Sequence, residues 1–285
     1  MRENVRRNIE SAMSINRQWA KRFLIGVVAA TLLCGADVAL GQEGRFYVGT
    51  TGVLELLDAA YDKTTDNTDP RNISPQRGKV YHDTDSDAET GYGFGLLAGY
   101  RRLLTQNGLY LSGELDVTLH GGSVRSQQDG VGQSEGRNQY GENWPDRWVF
   151  EKDWSYGFTL KLGASPALLR KWAGPDTSVY ALAGVRRLRT RMRIAYTGCP
   201  YATDVCPPAE FVSGADAWTE HLIGWTSGVG LEKMLGENLA LRGEFRYVGY
   251  ENHKWVSFPD DGKIRVPAEM DSDEVDLSLG LVWYF

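Results

Sequence analysis

From residue 44 to Phe285 the chain alternates apolar and polar residues at period two, and this pattern leaves few folds open. Successive side chains of a strand point to opposite faces of a sheet, so alternation marks strands with one apolar and one polar side. The periodicity predicts eight strands, at 44–56, 89–102, 108–120, 152–164, 178–194, 219–233, 238–250 and 273–285. In the third, Leu109, Leu111, Leu115, Val117 and Leu119 share one face, and Tyr110, Ser112, Glu114, Asp116, Thr118 and His120 the other. In the fourth, Trp154, Tyr156, Phe158, Leu160 and Leu162 alternate with Ser155, Gly157, Thr159, Lys161 and Gly163. In the last, Val275, Leu277, Leu279, Leu281, Trp283 and Phe285 alternate with Glu274, Asp276, Ser278, Gly280, Val282 and Tyr284. A soluble barrel turns such an apolar face inward, and a membrane barrel turns it outward. Alternation alone fits both.

The connections separate the two. They run long, short, long: about 57–88, 121–151, 195–218 and 251–272 are long, and 103–107, 165–177 and 234–237 are short. Tight turns at one end and long loops at the other characterise transmembrane β-barrels, with the short turns periplasmic. Both termini then lie on the periplasmic side. Aromatics concentrate at the two strand ends: Trp148, Phe150, Trp154, Trp218 and Trp255 near the long loops, Trp172, Tyr180, Trp283, Tyr284 and Phe285 near the short turns. This is the expected placement of two interfacial belts. A mean hydropathy of −0.38 does not oppose a membrane location, because only alternate residues of each barrel strand face lipid. The expected fold is all-β: an eight-stranded antiparallel up-and-down transmembrane barrel.

The longest apolar run, Phe23 to Leu33, is too short to span a bilayer as a helix. It follows Arg17, Lys21 and Arg22 and precedes Ala39-Leu40-Gly41, the order of a secretory signal peptide. Residues 1–41 are the expected signal, with Met13 as an alternative start, and 42–285 the expected barrel. Cleavage removes six of 31 basic and three of 37 acidic residues, leaving a net charge of −9. That balance argues against a nucleic-acid partner, which requires a basic face. Cys199 and Cys206 then remain, and export to an oxidising compartment favours a disulfide between them. No His lies nearby to complete a zinc site.

Charged residues alternate with the apolar face. Arg101, Glu114, Asp116, Lys161, Arg187, Arg189, Glu232, Arg242, Glu244, Arg246 and Asp276 are expected in the lumen. Eight strands enclose a space just wide enough for side chains to fill, so opposite charges there should pair as a plug. Gly93, Gly228, Gly230 and Gly280 are expected to leave room for the arginines. Leu109–Val117 and Leu239–Tyr247 match in spacing and character, which suggests related hairpins in two halves of one barrel.

Phe46-Tyr-Val-Gly49, Gly91-Tyr-Gly-Phe-Gly95, Leu241–Tyr247 and the terminal Leu279–Phe285 appear in order along the chain. Together they resemble the OmpA-type eight-stranded outer-membrane barrels, particularly the small alphaproteobacterial porin-like surface proteins. The resemblance implies an outer-membrane location and a structural or surface-interaction role. It also implies lipopolysaccharide as a neighbour, and loops that meet host or other surface ligands. Leu281, Trp283 and Phe285 are similar to the terminal signal read by the barrel-assembly machinery. A narrow channel for ions or small solutes is the alternative. A lipid A-modifying enzyme is a third reading: His120 and Ser123 are the nearest such pair, but their spacing does not match the His-x-Ser of known deacylases. Asp83, Asp85 and Asp87 resemble the start of a calcium loop, but Ala88 stands where its glycine belongs. No cofactor, metal or catalytic residue is expected.

Overall fold

A computed structural model describes residues 44–71, 77–105, 108–128, 143–174, 176–198, 209, 212–258 and 262–285. The signal segment and both mature cysteines lie outside the described residues. The strands are β1 (Gly44–Asp66), β2 (Val80–Leu103), β3 (Tyr110–Gln127), β4 (Asn143–Ala164), β5 (Thr177–Gly198), β6 (Val212–Met234), β7 (Leu239–Tyr250), β8 (His253–Ser257) and β9 (Val266–Tyr284). Each pairs antiparallel with the next around the sheet, and β1 pairs with β9 to close the ring. β8 takes over from β7 as the neighbour of β9 beyond Gly249 but pairs with no other described strand, so the eight-stranded ring is hydrogen-bonded all round only as far as β7 reaches. One short helix, α1 (Ala167–Ala173), sits in the β4–β5 connection.

Lipid-facing side chains form a continuous exposed apolar band. Phe46, Val48, Leu54, Leu56, Phe94, Leu96, Leu115, Val117, Phe158, Leu160, Val185, Val229, Phe245, Leu277, Leu279 and Leu281 are all solvent-accessible on the outer wall. A water-soluble surface rarely carries such an area, whereas a bilayer requires it. No helix among the described residues is long and apolar enough to cross a membrane.

The strands outrun the sequence expectation on the long-loop side. β1 has 23 residues and β2 has 24, about twice what a bilayer needs. The alternation continues beyond the band, but its meaning inverts. Outward positions become polar, as at Asp58 and Asp62, and inward ones become apolar, as at Leu57, Ala59 and Tyr61. The upper half is thus a curved β-wall in water around an oily core.

That inversion corrects two expectations. On β5, Tyr180, Leu182, Arg186, Leu188, Thr190 and Met192 point inward and are buried. Arg187 and Arg189 therefore face outward, and Arg186 occupies the lumen. On β4 the register slips at Asp153 against β5, and the parity of the strand changes across it. Trp154 and Tyr156 stay on the outer wall, but Trp148 and Phe150 turn inward and are fully buried. With Leu57, Tyr61, Val124, Leu188, Met192, Leu222, Val248, Tyr250 and Met270 they form an apolar core, and Trp218 and Trp255 pack against it. Trp255 stacks on Tyr61, with ring centroids 5.8 Å apart. At the other end Tyr180 and Tyr284 also point inward, leaving Phe46, Tyr100, Trp283 and Phe285 on the outside.

Candidate functional site

Below the apolar core the lumen is charged, and its side chains meet across the barrel. Arg242 on β7 reaches β3 on the opposite wall, with Nη1 2.5 Å from Glu114 Oε2. Its Nη2 donates to Glu232 Oε2 at 2.8 Å. Arg101 on β2 spans to the same Glu232 on β6, at 2.6 Å. Lys161 donates to both Glu114 and Glu244 at 2.7 Å. These two glutamates are the matched positions of the repeated hairpins, and one ammonium joins them. Arg246 pairs with Glu244 and lies 3.6 Å from Glu114. Phenols close the lower end: Tyr47 donates to Glu114 at 3.0 Å, Tyr180 to Glu244 at 2.5 Å and Tyr284 to Glu232 at 2.8 Å. Every carboxylate of this layer therefore has several donors, the condition under which buried ions are tolerated.

The glycines serve a different partner from the one expected. A Cβ on Gly230 would lie 2.3 Å from the Tyr180 ring, and one on Gly99 2.3 Å from the Tyr47 ring. The tyrosines lie flat over cross-strand glycines, which lets their hydroxyls reach the glutamates. At Gly228 and Gly280 an added Cβ would instead meet the backbone of Phe245 and Thr50.

A second charged layer lies between this network and the apolar core. Arg186 Nη2 sits 2.5 Å from Asp116, and its Nη1 donates to Ser155 at 2.8 Å. Lys152 donates to Glu55 at 2.8 Å and bridges to Glu274 on the opposite wall. Tyr250 donates to Glu274 at 3.0 Å. Asp276 is buried beside this layer. Glu55, Lys152, Arg186 and Glu274 were not among the expected lumen residues. Alternation within 44–56 and 273–285 already marks both: Glu55 is an acid between Leu54 and Leu56, and Glu274 shares the inward parity of Asp276 and Ser278. Lys152 and Arg186 required the strand parity that only the register supplies.

His120 also belongs here. Its Nδ1 lies 2.5 Å from Glu55 Oε1 and its Nε2 2.7 Å from Ser155 Oγ. The partner serine is thus Ser155, not Ser123. An acid, an imidazole and a hydroxyl in line have the distances of a nucleophilic triad. All three are buried, and the adjoining cavity measures about 20 Å³, room for about one water molecule. Ser155 Oγ also accepts from Arg186. Glu55 and His120 line that cavity, and Ser155 does not.

Assembled, the site is a stack: tyrosines and the first ion network, the second network, then the oily core. Among the described residues no cluster of His, Cys, Asp or Glu forms a metal site. A sequence profile described as an outer membrane protein beta-barrel domain matches residues 25–285. No curated protein sequence matches the chain. Among solved structures it is similar to Ail, the attachment invasion locus protein of Yersinia pestis, seen in complex with the heparin analogue sucrose octasulfate. The identity is 14%, over 82% of this chain and 99% of that one, with a TM-score of 0.26. It is also similar to Neisserial surface protein A, at 14% identity over 84% and 97% of the two chains, TM-score 0.31. A third is a major outer membrane protein from Thermus thermophilus, at 16% identity over 80% and 99%, TM-score 0.36.

Proposed function

We propose a function from one premise: this chain belongs to the outer membrane protein beta-barrel family, and it resides in the bacterial outer membrane. Its role is structural and surface-interacting. The barrel anchors the chain in lipid, and the long-loop end, with its strands carried well beyond the apolar band, presents a rigid platform outside the cell. Residues 1–41 act as the export signal and 42–285 as the barrel. Lipopolysaccharide surrounds it, the assembly machinery reads Leu281, Trp283 and Phe285, and the external loops supply whatever surface contacts it makes. Cys199 and Cys206 close one such loop as a disulfide.

The observation that carries this reading is the filled lumen. Ion pairs cross it from wall to wall at Arg242–Glu114, Arg101–Glu232 and Lys152–Glu274, and buried Trp148 and Phe150 cap it. Such a lumen braces the wall and leaves no continuous water path. The test is a swelling assay on liposomes that carry the folded chain and are diluted into salt or small sugar. Swelling no faster than in protein-free liposomes is expected; rapid swelling in both solutes would establish the channel instead. An unchanged lipid A mass spectrum in a strain lacking the protein is expected as well. Gain or loss of an acyl chain there would make the Glu55–His120–Ser155 line an enzyme site.

A further inference from the structure

On β5 the outward positions run Val179, Ala181, Ala183 and Val185, and then Arg187, Arg189, Arg191 and Arg193. Successive outward positions on one strand stand about 7 Å apart, so four guanidiniums form a column roughly 20 Å long. Exposed Arg147 on β4 and Arg125 on β3 extend it sideways. Glu151 and Asp153 are the only carboxylates among the described outward positions of β3 to β6 above the apolar band. Asp153 is engaged by Arg189 at 2.6 Å and Arg191 at 3.6 Å, and Glu151 by Arg193 at 3.5 Å. Arg187 and Arg147 have no ion partner among the described residues. Six cations facing two anions leave an excess of four positive charges on this wall. The wall across the barrel has the opposite sign, with Asp58 and Asp62 on β1 beside Asp273 and Asp271 on β9.

The height of the column identifies its ligand. Arg187 lies between Tyr156 on β4 and Ile223 on β6, one outward step above exposed Val185. Trp154 stacks on Tyr156 at 5.7 Å and meets His221 edge-on at 6.2 Å. Stacked Trp and Tyr rings on an outer wall belong at the headgroup level. A guanidinium is costly inside hydrocarbon and nearly free at that interface, where lipid phosphates lie. Planar guanidiniums bind phosphate through two parallel hydrogen bonds. A ligand confined to bulk water would need only the upper arginines and would leave Arg187 unexplained.

We propose that the outward column Arg187–Arg189–Arg191–Arg193, flanked by Arg125 and Arg147, is a binding site for the phosphate groups of a phosphorylated glycolipid in the outer leaflet. It tethers one sector of the barrel to its surrounding lipid. The proposal rests on the reading that the long-loop end faces outward, but binding in a micelle does not depend on sidedness. A wrong orientation would therefore leave the binding intact and misplace only the leaflet.

The test uses the full folded chain in zwitterionic micelles, with bound lipid counted by native mass spectrometry. It is titrated with diphosphoryl lipid A, with the same lipid stripped of phosphate, and with inorganic phosphate alone. Saturable binding of the diphosphoryl form is expected. It should weaken tenfold or more in the Arg187→Gln/Arg189→Gln/Arg191→Gln/Arg193→Gln variant and fall as salt rises. The stripped lipid should bind wild type and variant alike and weakly. Should the quadruple variant not fold, Arg191→Gln/Arg193→Gln, which lies wholly above the band, should still lose severalfold in affinity. Equal binding of diphosphoryl lipid A by wild type and variants would overturn the site. So would equal binding of the stripped lipid, and saturation by inorganic phosphate at the same concentration would show a free-phosphate site instead.

Discussion

Glu114 is buried and receives Lys161, Arg242 and Tyr47, so it is the residue whose loss the lumen should feel most. Glu114→Ala takes one of two carboxylates from each of Lys161 and Arg242, which keep Glu244 and Glu232, and removing one partner of a buried pair costs about 3–5 kcal/mol. Urea unfolding in micelles should show a loss of that size for Glu114→Ala and a comparable one for Arg242→Ala; near-wild-type midpoints would mean water already compensates these charges. In the oily core, Trp148→Ala should cost about 3–5 kcal/mol by loss of packing alone. Glu114, Lys161, Glu232, Arg242 and Glu244 could be placed in the lumen from sequence, because each alternates with unmistakable lipid-facing leucines or aromatics. Arg187 and Arg189 could not, since they lie where the outer wall passes from lipid to water and a charged residue suits either side. His120 was visible, but its partners Glu55 and Ser155 come from strands far apart in sequence.

At the scale of the strand, β9 shows both what the pattern carries and where it stops. Leu277, Leu279, Leu281 and Trp283 face lipid as the alternation requires. Leu281→Arg should therefore cost about 2–4 kcal/mol if it sits near the midplane, while Leu281→Val should be tolerated. Deletion of Phe285 should slow insertion into bilayers containing the assembly machinery; unchanged insertion would remove the terminal aromatic from the signal. Gly230→Ala on β6 displaces the Tyr180 ring and should weaken the β5–β6 pair by about 1–3 kcal/mol. The eight strands were legible where one face meets lipid. Their upper halves were not, because outward Asp58 and Asp62 with inward Leu57 and Tyr61 invert the code and read as loop. The seventh strand's end at 250 was legible, but β8 was read as part of the loop 251–272 for the same reason. Parity across Asp153 was invisible, since a register slip leaves no mark on composition.

The described molecule has three sections: a closed lipid-facing cylinder with an ionic filling, a belt, and a water-exposed extension with an apolar filling, where β8 is paired on one side only. Ring closure by β1 and β9 leaves no free edge in the membrane. The opposed charges that would otherwise burden the lumen brace it across its width, at Arg242–Glu114 and Arg101–Glu232. Closure to ions is the central claim, and single-channel recording of the purified barrel in a planar lipid bilayer tests it most directly. Wild type should give no steady conductance, and Glu114→Ala combined with Trp148→Ala, which opens both the ionic layer and the cap, should give resolvable steps. A steady ohmic conductance in wild type, unaltered by the double substitution, would contradict the account.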